Sequence, residues 1–187
     1  MNDWLMVALV GLALLLFWLI GAYNRLVRLR AALGKAFAAL DPLLTERLAW
    51  IESLRAPVEA PDAESASAGV AAVWTRLAAA RDQFALALAS LRRAPADGAA
   101  AQRLVLAEAV LQPVWAELLG GPGEGAAPPD AAELRAALDR LRHQERPLAD
   151  AFNAAVQAYN HAIGQFPALL LARAVGFGAA APLTPAP

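Results

Sequence analysis

The chain has 187 residues, 59% of them hydrophobic, with 16 basic and 17 acidic side chains and a formal net charge of −1. A nucleic-acid-binding protein needs a basic excess gathered on one face, so this near-neutral balance argues against nucleic acid as a partner. The sequence contains no cysteine, which excludes disulfides, thiolate catalysis and sulfur-ligated metal.

The first predicted element is an uncharged run from Trp4 to Ala22. As a helix it would measure about 28 Å, close to the ~30 Å hydrocarbon thickness of a bilayer. A core helix of a globular domain normally keeps a polar face, and a signal peptide carries a basic residue ahead of its apolar run. The only charged side chain before this run is Asp3. We therefore predict that residues 1–22 form an uncleaved transmembrane anchor, with residues 4–22 in contact with lipid.

Basic residues follow the apolar run closely, and none precedes it. They are Arg25, Arg28, Arg30 and Lys35. Because Lys and Arg next to a spanning helix favour the cytoplasmic side, the pattern predicts a single-pass protein with its N-terminus outside and its body cytoplasmic.

The body, residues 23–180, has helical periodicity almost throughout. Apolar residues recur every three or four positions from Leu26 to Leu54, which predicts a long helix continuing directly from the anchor. Within it, Asp41 and Pro42 predict a kink where a capped helix restarts. A turn-like segment over 56–67 precedes the second predicted helix.

Three further amphipathic stripes follow, separated by segments rich in Pro and Gly. The second helix carries Val70, Val73, Trp74, Leu77, Phe84, Leu88 and Leu91 on its apolar face; the third carries Leu104, Val110, Leu111, Val114, Trp115, Leu118 and Leu119; the fourth carries Leu134, Leu138, Leu141, Leu148, Phe152, Tyr159, Ile163 and Phe166. Pro113 and Pro147 lie inside the third and fourth stripes and predict interruptions or bends. Asp130, at the end of a Gly-rich linker, is the predicted cap of the fourth helix.

A short apolar helix is expected after Pro167, and residues 181–187 are predicted to be a disordered tail. Four helices with one apolar stripe each can hide those stripes only against one another. The predicted fold is therefore all-α, an antiparallel, up-and-down four-helix bundle with coiled-coil-like crossings.

Three segments resemble the LemA family. The first is YNRLVRLR, residues 23–30, directly after the spanning segment; the second is FNAAVQAYN, residues 152–160; the third comprises Phe166–Pro167 and Gly176–Phe177–Gly178. The resemblance implies a membrane helix joined to a long-helix bundle. It marks as motif residues Tyr23, Asn24, Arg25, Leu26, Phe152, Asn153, Val156, Tyr159, Asn160, Phe166, Pro167, Gly176 and Phe177. Phe152 stands where the family has Tyr.

The second motif can also be interpreted without reference to the family. Phe152 and Tyr159 are seven positions apart, as are Asn153 and Asn160, so on a helix the aromatics share one face and the amides flank it. Two interpretations are open. The aromatics fill the core while the amides satisfy backbone groups or fix helix register, or the four residues form a ligand site.

The sequence offers little support for catalysis, and no cofactor is predicted. His143 and His161 lie about 27 Å apart along one predicted helix, so they cannot share a metal there. Glu145 falls on the inward seam of the fourth helix, close to Arg146 and the bend expected at Pro147, where an ion pair or a snorkelling position is the favoured explanation and a functional carboxylate the alternative.

We therefore expect a non-enzymatic, membrane-anchored helical scaffold that contacts other membrane or cytoplasmic proteins at the cytoplasmic face of a bacterial inner membrane. The resemblance to LemA points the same way. A membrane-tethered sensor or signal transducer is the alternative, and an accessory subunit of a membrane peptidase or transporter is compatible with either. Self-association is left open.

Overall fold

The computed structural model describes residues 3–54, 68–120, 131–166 and 168–183. These ranges hold five helices and no strand: α1 (Asp3–Ser53), α2 (Ala68–Arg93), α3 (Gly98–Leu118), α4 (Ala131–Gly164) and α5 (Ala168–Val175). The prediction of an all-helical chain is confirmed for this part. The predicted turn over 56–67, residues 121–130 of the linker with its Asp130 cap, and Pro167 lie outside the described residues.

Helix α1 runs without a break for 51 residues, with Pro42 inside it. The predicted continuity of the apolar run with the first body helix is confirmed, but the predicted restart at Asp41 is wrong. Pro42 removes only one backbone donor, and the leucines on either side of it, Leu40 and Leu44, are buried in the core. Tertiary packing of this kind outweighs the local cost of a proline. Asp41 instead pairs with Arg92, whose Nε lies 2.7 Å from its carboxylate.

The other two interior prolines are accommodated in the same way. Pro113 lies inside α3 and Pro147 inside α4, and both helices are continuous. The N-terminus of α3 is capped by Asp97, whose carboxylate accepts a hydrogen bond of 2.9 Å from the backbone N–H of Ala99.

The helices associate mainly in two pairs, α1 with α4 and α2 with α3. In the first pair, Arg25 lies near Gln165. Arg47, which comes later in α1, lies near Glu145, which comes earlier in α4. The two helices therefore run in opposite directions. Salt bridges also connect α1 to α2. The buried apolar residues of the two pairs belong to one hydrophobic core.

Aromatic side chains fill the centre of that core. Phe152 is fully buried and meets Phe37 edge-on, with ring centroids 6.1 Å apart. Trp115 stacks on Trp50 at 5.5 Å, which joins α3 to α1. Most of the predicted stripe residues that the structure describes are buried or half-buried.

Two members of the predicted stripes are exposed. Val110 is 41% exposed on α3, and Phe166 is 73% exposed just beyond the end of α4. Phe166 falls after the last helical residue, so helical periodicity no longer determines where its side chain lies.

The N-terminal part of α1 extends away from the packed helices. Among the described helices, α1 is the one long and apolar enough to cross a membrane, and its most apolar stretch is not buried within the protein. Large apolar side chains are exposed along this stretch, from Trp4 at 66% to Ile20 at 56%. The first buried side chain of α1 is that of Leu26, although Trp18 already contacts Phe166.

The C-terminal segment folds back over the helices. After α5, Gly176 adopts a positive φ of 77°, a conformation that glycine accommodates without strain. The chain then runs extended to Leu183, which is buried. Disorder was predicted from residue 181, and this is wrong for Ala181 to Leu183; residues 184–187 lie outside the described part of the chain.

Candidate functional site

The residues of the second predicted motif lie along one side of α4. Phe152, Val156 and Tyr159 are each at most 1% exposed, while Asn153 and Asn160 are half-buried beside them. The predicted arrangement, with aromatics on one face and amides flanking it, is confirmed. The C-terminal segment covers this side of the helix.

Both asparagine side chains bind the backbone of the C-terminal segment. Asn160 donates to the carbonyl oxygen of Ala180 at 2.8 Å and accepts from the N–H of the same residue at 2.9 Å. Asn153 likewise donates to the carbonyl oxygen of Leu183 at 2.6 Å and accepts from the N–H of Leu183 at 2.7 Å. Of the two open interpretations, the structure supports the one in which the amides satisfy backbone groups.

Tyr159 adds a third contact to the same segment. Its hydroxyl donates to the carbonyl oxygen of Gly178 at 3.1 Å. Burial raises the pKa of the Tyr159 hydroxyl, and the positive charge of Arg30 opposes this rise. The hydroxyl therefore remains a hydrogen-bond donor at neutral pH. Arg30 itself stacks over the ring of Phe177, 4.9 Å from the centroid.

The first motif meets the other two at the end of the body nearest the apolar run. Leu26 packs with Ala162, Ala168 and Ala172 in a small separate cluster. Arg25 donates a long hydrogen bond of 3.5 Å to the side chain of Gln165. The three segments themselves are brought together by the stacking of Arg30 on Phe177 and by the hydrogen bond from Tyr159 to Gly178, although they are far apart in sequence.

Other predicted residues lie around this junction without being part of the contacts. Tyr23 is 40% exposed, and Asn24, Arg28 and Lys35 are exposed. Phe166 contacts Trp18 of the apolar run, with ring centroids 5.6 Å apart. The body therefore begins immediately where the apolar run ends.

A buried charge cluster lies further along the body, where α1, α3 and α4 meet. The guanidinium of Arg47 forms a two-point contact with the carboxylate of Glu108 and lies 3.2 Å from Glu145. It also stacks over the ring of Phe84, 4.7 Å from the centroid. Arg47 is 4% and Glu145 8% exposed. The prediction that Glu145 takes part in an ion pair is confirmed.

The negative charges of this cluster are only partly neutralised. Two carboxylates share the one guanidinium, and Oε1 of Glu145 has no hydrogen-bond partner among the described residues. Burial raises the pKa of Glu145 to about 7; Arg47 opposes the rise, Glu108 adds to it and Arg142 opposes it. At neutral pH, Glu145 is therefore poised between its charged and protonated forms.

A cavity of about 530 Å³ opens beside the cluster. Its walls combine the charged groups with apolar side chains, among them Leu40, Leu44, Phe84 and Leu104, and Leu183 of the C-terminal segment forms part of the lining. The cavity thus connects the charge cluster to the segment that Asn153 holds.

Arg47 and Glu108 are not among the site residues predicted from the sequence. A signal was present for Arg47, which interrupts the apolar stripe of α1 between Leu44 and Leu48. A single charge inside an otherwise apolar stripe predicts a buried ion pair, but its partner cannot be read from one stripe. Glu108 lies at the edge of its stripe and gives no such signal.

His143 and His161 are both exposed. Within the described ranges, no three His, Cys, Asp or Glu residues are grouped so that they could hold a metal ion. Comparisons with family models, with curated proteins and with solved structures found no match for this chain.

Proposed function

We propose that this protein is a membrane-anchored helical scaffold that presents its body to other proteins at the cytoplasmic face of a bacterial membrane. One observation carries the proposal: α1 continues without a break from an uncovered apolar segment into the packed body. A rigid connection of this kind would hold the body directly against the bilayer. The contact between Trp18 and Phe166 is consistent with such a position, because aromatic rings favour the membrane interface.

We further propose that the body is an antiparallel four-helix bundle and that the chain is a divergent member of the LemA family. Support for the bundle comes from the opposite directions of contacting helices, such as α1 with α4. Support for the family comes from the meeting of the three motif segments at one end of the body. The asparagines of the second motif bind backbone groups, which favours a structural role for that motif over a catalytic one.

The proposed orientation places the body in the cytoplasm and the N-terminus outside. Arg25, Arg28, Arg30 and Lys35 are all exposed and follow the apolar segment within the first turns of the body. In this position they would meet the phosphate groups of the inner leaflet.

The lack of cysteine makes this orientation directly testable. Single-cysteine variants Asp3→Cys and Gln157→Cys replace exposed residues on the two sides of the proposed membrane. We expect a membrane-impermeant maleimide to label the first but not the second in intact spheroplasts, and to label both after lysis. Labelling of Gln157→Cys alone before lysis would reverse the topology, and recovery of the full chain in the soluble fraction would refute the anchor.

The scaffold function itself is tested by photo-crosslinking in intact cells. Leu86 and Leu106 are 75% and 64% exposed on α2 and α3, and a photoreactive amino acid at either would leave the core unchanged. We expect crosslinks to a small, reproducible set of proteins or to a second copy of the chain. The same probe at exposed Glu133 is the matched control. If every exposed position of the body yields only the unlinked monomer, the scaffold proposal fails.

A further inference from the structure

The cavity beside Arg47 has features of a ligand site that the scaffold proposal does not use. Its volume of about 530 Å³ lies within the range of about 300–1,000 Å³ that is typical of small-molecule sites. Its lining combines apolar side chains with charged and polar ones, of which Arg47 and Glu145 are buried. Leu40, Phe84 and Leu104 supply apolar walls, and Glu145 supplies a buried carboxylate oxygen without a hydrogen-bond partner among the described residues.

The charges of the buried cluster determine which kind of ligand it favours. Glu108 and Glu145 share one guanidinium, so the three buried groups carry a net charge of −1 when both carboxylates are ionised. Arg142, the other cation that acts on Glu145, donates to Gln112 and forms no salt bridge to either carboxylate among the described residues. Oε1 of Glu145 therefore stays open to a further positive charge. Nε of Arg47 also has no hydrogen-bond partner among the described residues, but an anionic ligand group that reached it would approach two carboxylates. The inner end of the cavity is therefore suited to a cation.

The outer part of the cavity limits the charge of that cation. Arg142, Arg146 and His143 line it together with Asp139, and all four lie on α4. Arg142 already donates a hydrogen bond of 2.6 Å to the side-chain oxygen of Gln112. Because basic groups predominate here, a ligand carrying several positive charges would be repelled, whereas one charge at the inner end would not.

We propose that this cavity binds a small organic monocation, a primary amine with a compact apolar body, whose ammonium group donates to Oε1 of Glu145. The apolar body lies against Leu40, Leu44, Phe84 and Leu104. Because Leu183 also lines the cavity, the ligand lies next to the C-terminal segment that Asn153 holds.

Binding of such an amine depends on pH through Glu145. The groups that face Glu145 are Arg47 from α1 and Glu108 from α3, with Asp139, Arg142, His143 and Arg146 on α4 itself; α2 contributes the apolar Phe84. The ammonium pairs with the ionised carboxylate, so protonation of Glu145 competes with binding. With a pKa of about 7, the ionised fraction rises about tenfold from pH 6 to pH 8, and the affinity for an amine should rise by the same factor.

The test uses the full-length chain in nanodiscs of zwitterionic phosphatidylcholine, with benzylamine as the probe and isothermal titration calorimetry as the measurement. Benzyl alcohol and benzoate are matched neutral and anionic probes, and titration into empty nanodiscs corrects for partition into lipid. We expect saturable binding of benzylamine at pH 8, about tenfold weaker at pH 6, and much weaker binding of the other two probes.

Variants assign the effect to this cavity. Glu145→Gln should remove the preference for the amine, and Val105→Phe, which narrows the cavity without changing its charge, should weaken binding of benzylamine. Glu133→Gln, at an exposed position on the same helix, should bind as the parent does, and His143→Gln should keep the pH dependence. Circular dichroism establishes that each variant is folded.

Three results would each overturn the proposal. They are the lack of saturable benzylamine binding at millimolar concentration, equal binding of benzoate or benzyl alcohol, and unchanged benzylamine binding by folded Glu145→Gln. None of these outcomes bears on the anchor or on the crosslinks expected of a scaffold.

Discussion

Asn160 and Ala180 are joined by two hydrogen bonds, one in each direction, between a side-chain amide on α4 and the backbone of the C-terminal segment. The amide thus offers the extended chain the donor and acceptor that a neighbouring strand would provide. Asn153 repeats the arrangement two helical turns away with Leu183. This pairing uses only backbone atoms of the C-terminal segment, so it holds the segment without requiring particular side chains there.

Replacing Asn160 with Ala should release the C-terminal segment. It removes two hydrogen bonds and leaves the buried backbone groups of Ala180 without these partners, at a cost of about 1–3 kcal/mol in unfolding free energy. Hydrogen exchange of the Ala180 amide should accelerate, as read by NMR or mass spectrometry. Asn24→Ala, at an exposed position, is the control and should leave that exchange rate unchanged. Slow exchange at Ala180 in the Asn160 variant would contradict the role assigned to the amide.

The stability of the protein should depend on the ionisation of Glu145. Its pKa is about 7 in the folded state against 4.5 for an unperturbed glutamate, so the folded state binds this proton more tightly than the unfolded state does. The contribution of Glu145 therefore destabilises the fold above pH 7, and this destabilisation is relieved as the pH falls from about 7 to about 4.5. At about 1.4 kcal/mol per pKa unit, the full change is about 3 kcal/mol.

Thermal unfolding of the full chain, followed by circular dichroism between pH 5 and pH 8, measures this effect. The informative quantity is the difference in stability between the parent and Glu145→Gln, because the carboxylates distant from this cluster contribute equally to both. We expect the parent to lose stability relative to the variant as the pH rises from 5 to about 7, and the difference to level off above pH 7. A difference that does not change with pH would mean that Glu145 is not the buried group described above.

Removal of the buried guanidinium should be far more costly than removal of an exposed one. Arg47→Met leaves Glu108 and Glu145 facing each other without their shared cation, which should cost about 3–5 kcal/mol. Arg76→Met breaks a salt bridge to Glu117 in which both side chains are about half exposed, and this should cost less than about 1 kcal/mol. Unfolding of the two variants under the same conditions gives the comparison. Equal losses would argue that the Arg47 cluster is open to water.

Phe152 should be among the most sensitive positions of the core. Its ring is fully buried and meets Phe37, so Phe152→Ala should cost about 3–5 kcal/mol through lost burial and the remaining cavity. Phe166→Ala removes the same ring from a site that is 73% exposed and should cost much less in unfolding free energy. The melting temperatures of the two variants test this, and an unchanged value for Phe152→Ala would show that the ring is not in the core.

Much of the helical structure can be predicted from the sequence. An α-helix buries one stripe, and the stripe repeats at a fixed spacing, so Leu26, Phe84 and Tyr159 can be assigned to the interior from their neighbours alone. The same reasoning failed at Pro42, because the cost of a missing hydrogen bond is local whereas the packing that offsets it comes from other helices. It also failed at Phe166, where the helix had already ended.

Sequence by itself determined the apolar N-terminal run, the four long helices and the inward-facing aromatics of α4, because each depends on residues a few positions apart. Only the tertiary structure decided that Asn153 and Asn160 bind the C-terminal backbone and that Arg47 is shared by Glu108 and Glu145. Those partners are separated by 20 to 98 positions along the chain, from Asn160 and Ala180 to Arg47 and Glu145. The spacing of residues along one helix does not indicate which distant residue will contact that helix, because such contacts form only when the helices pack together.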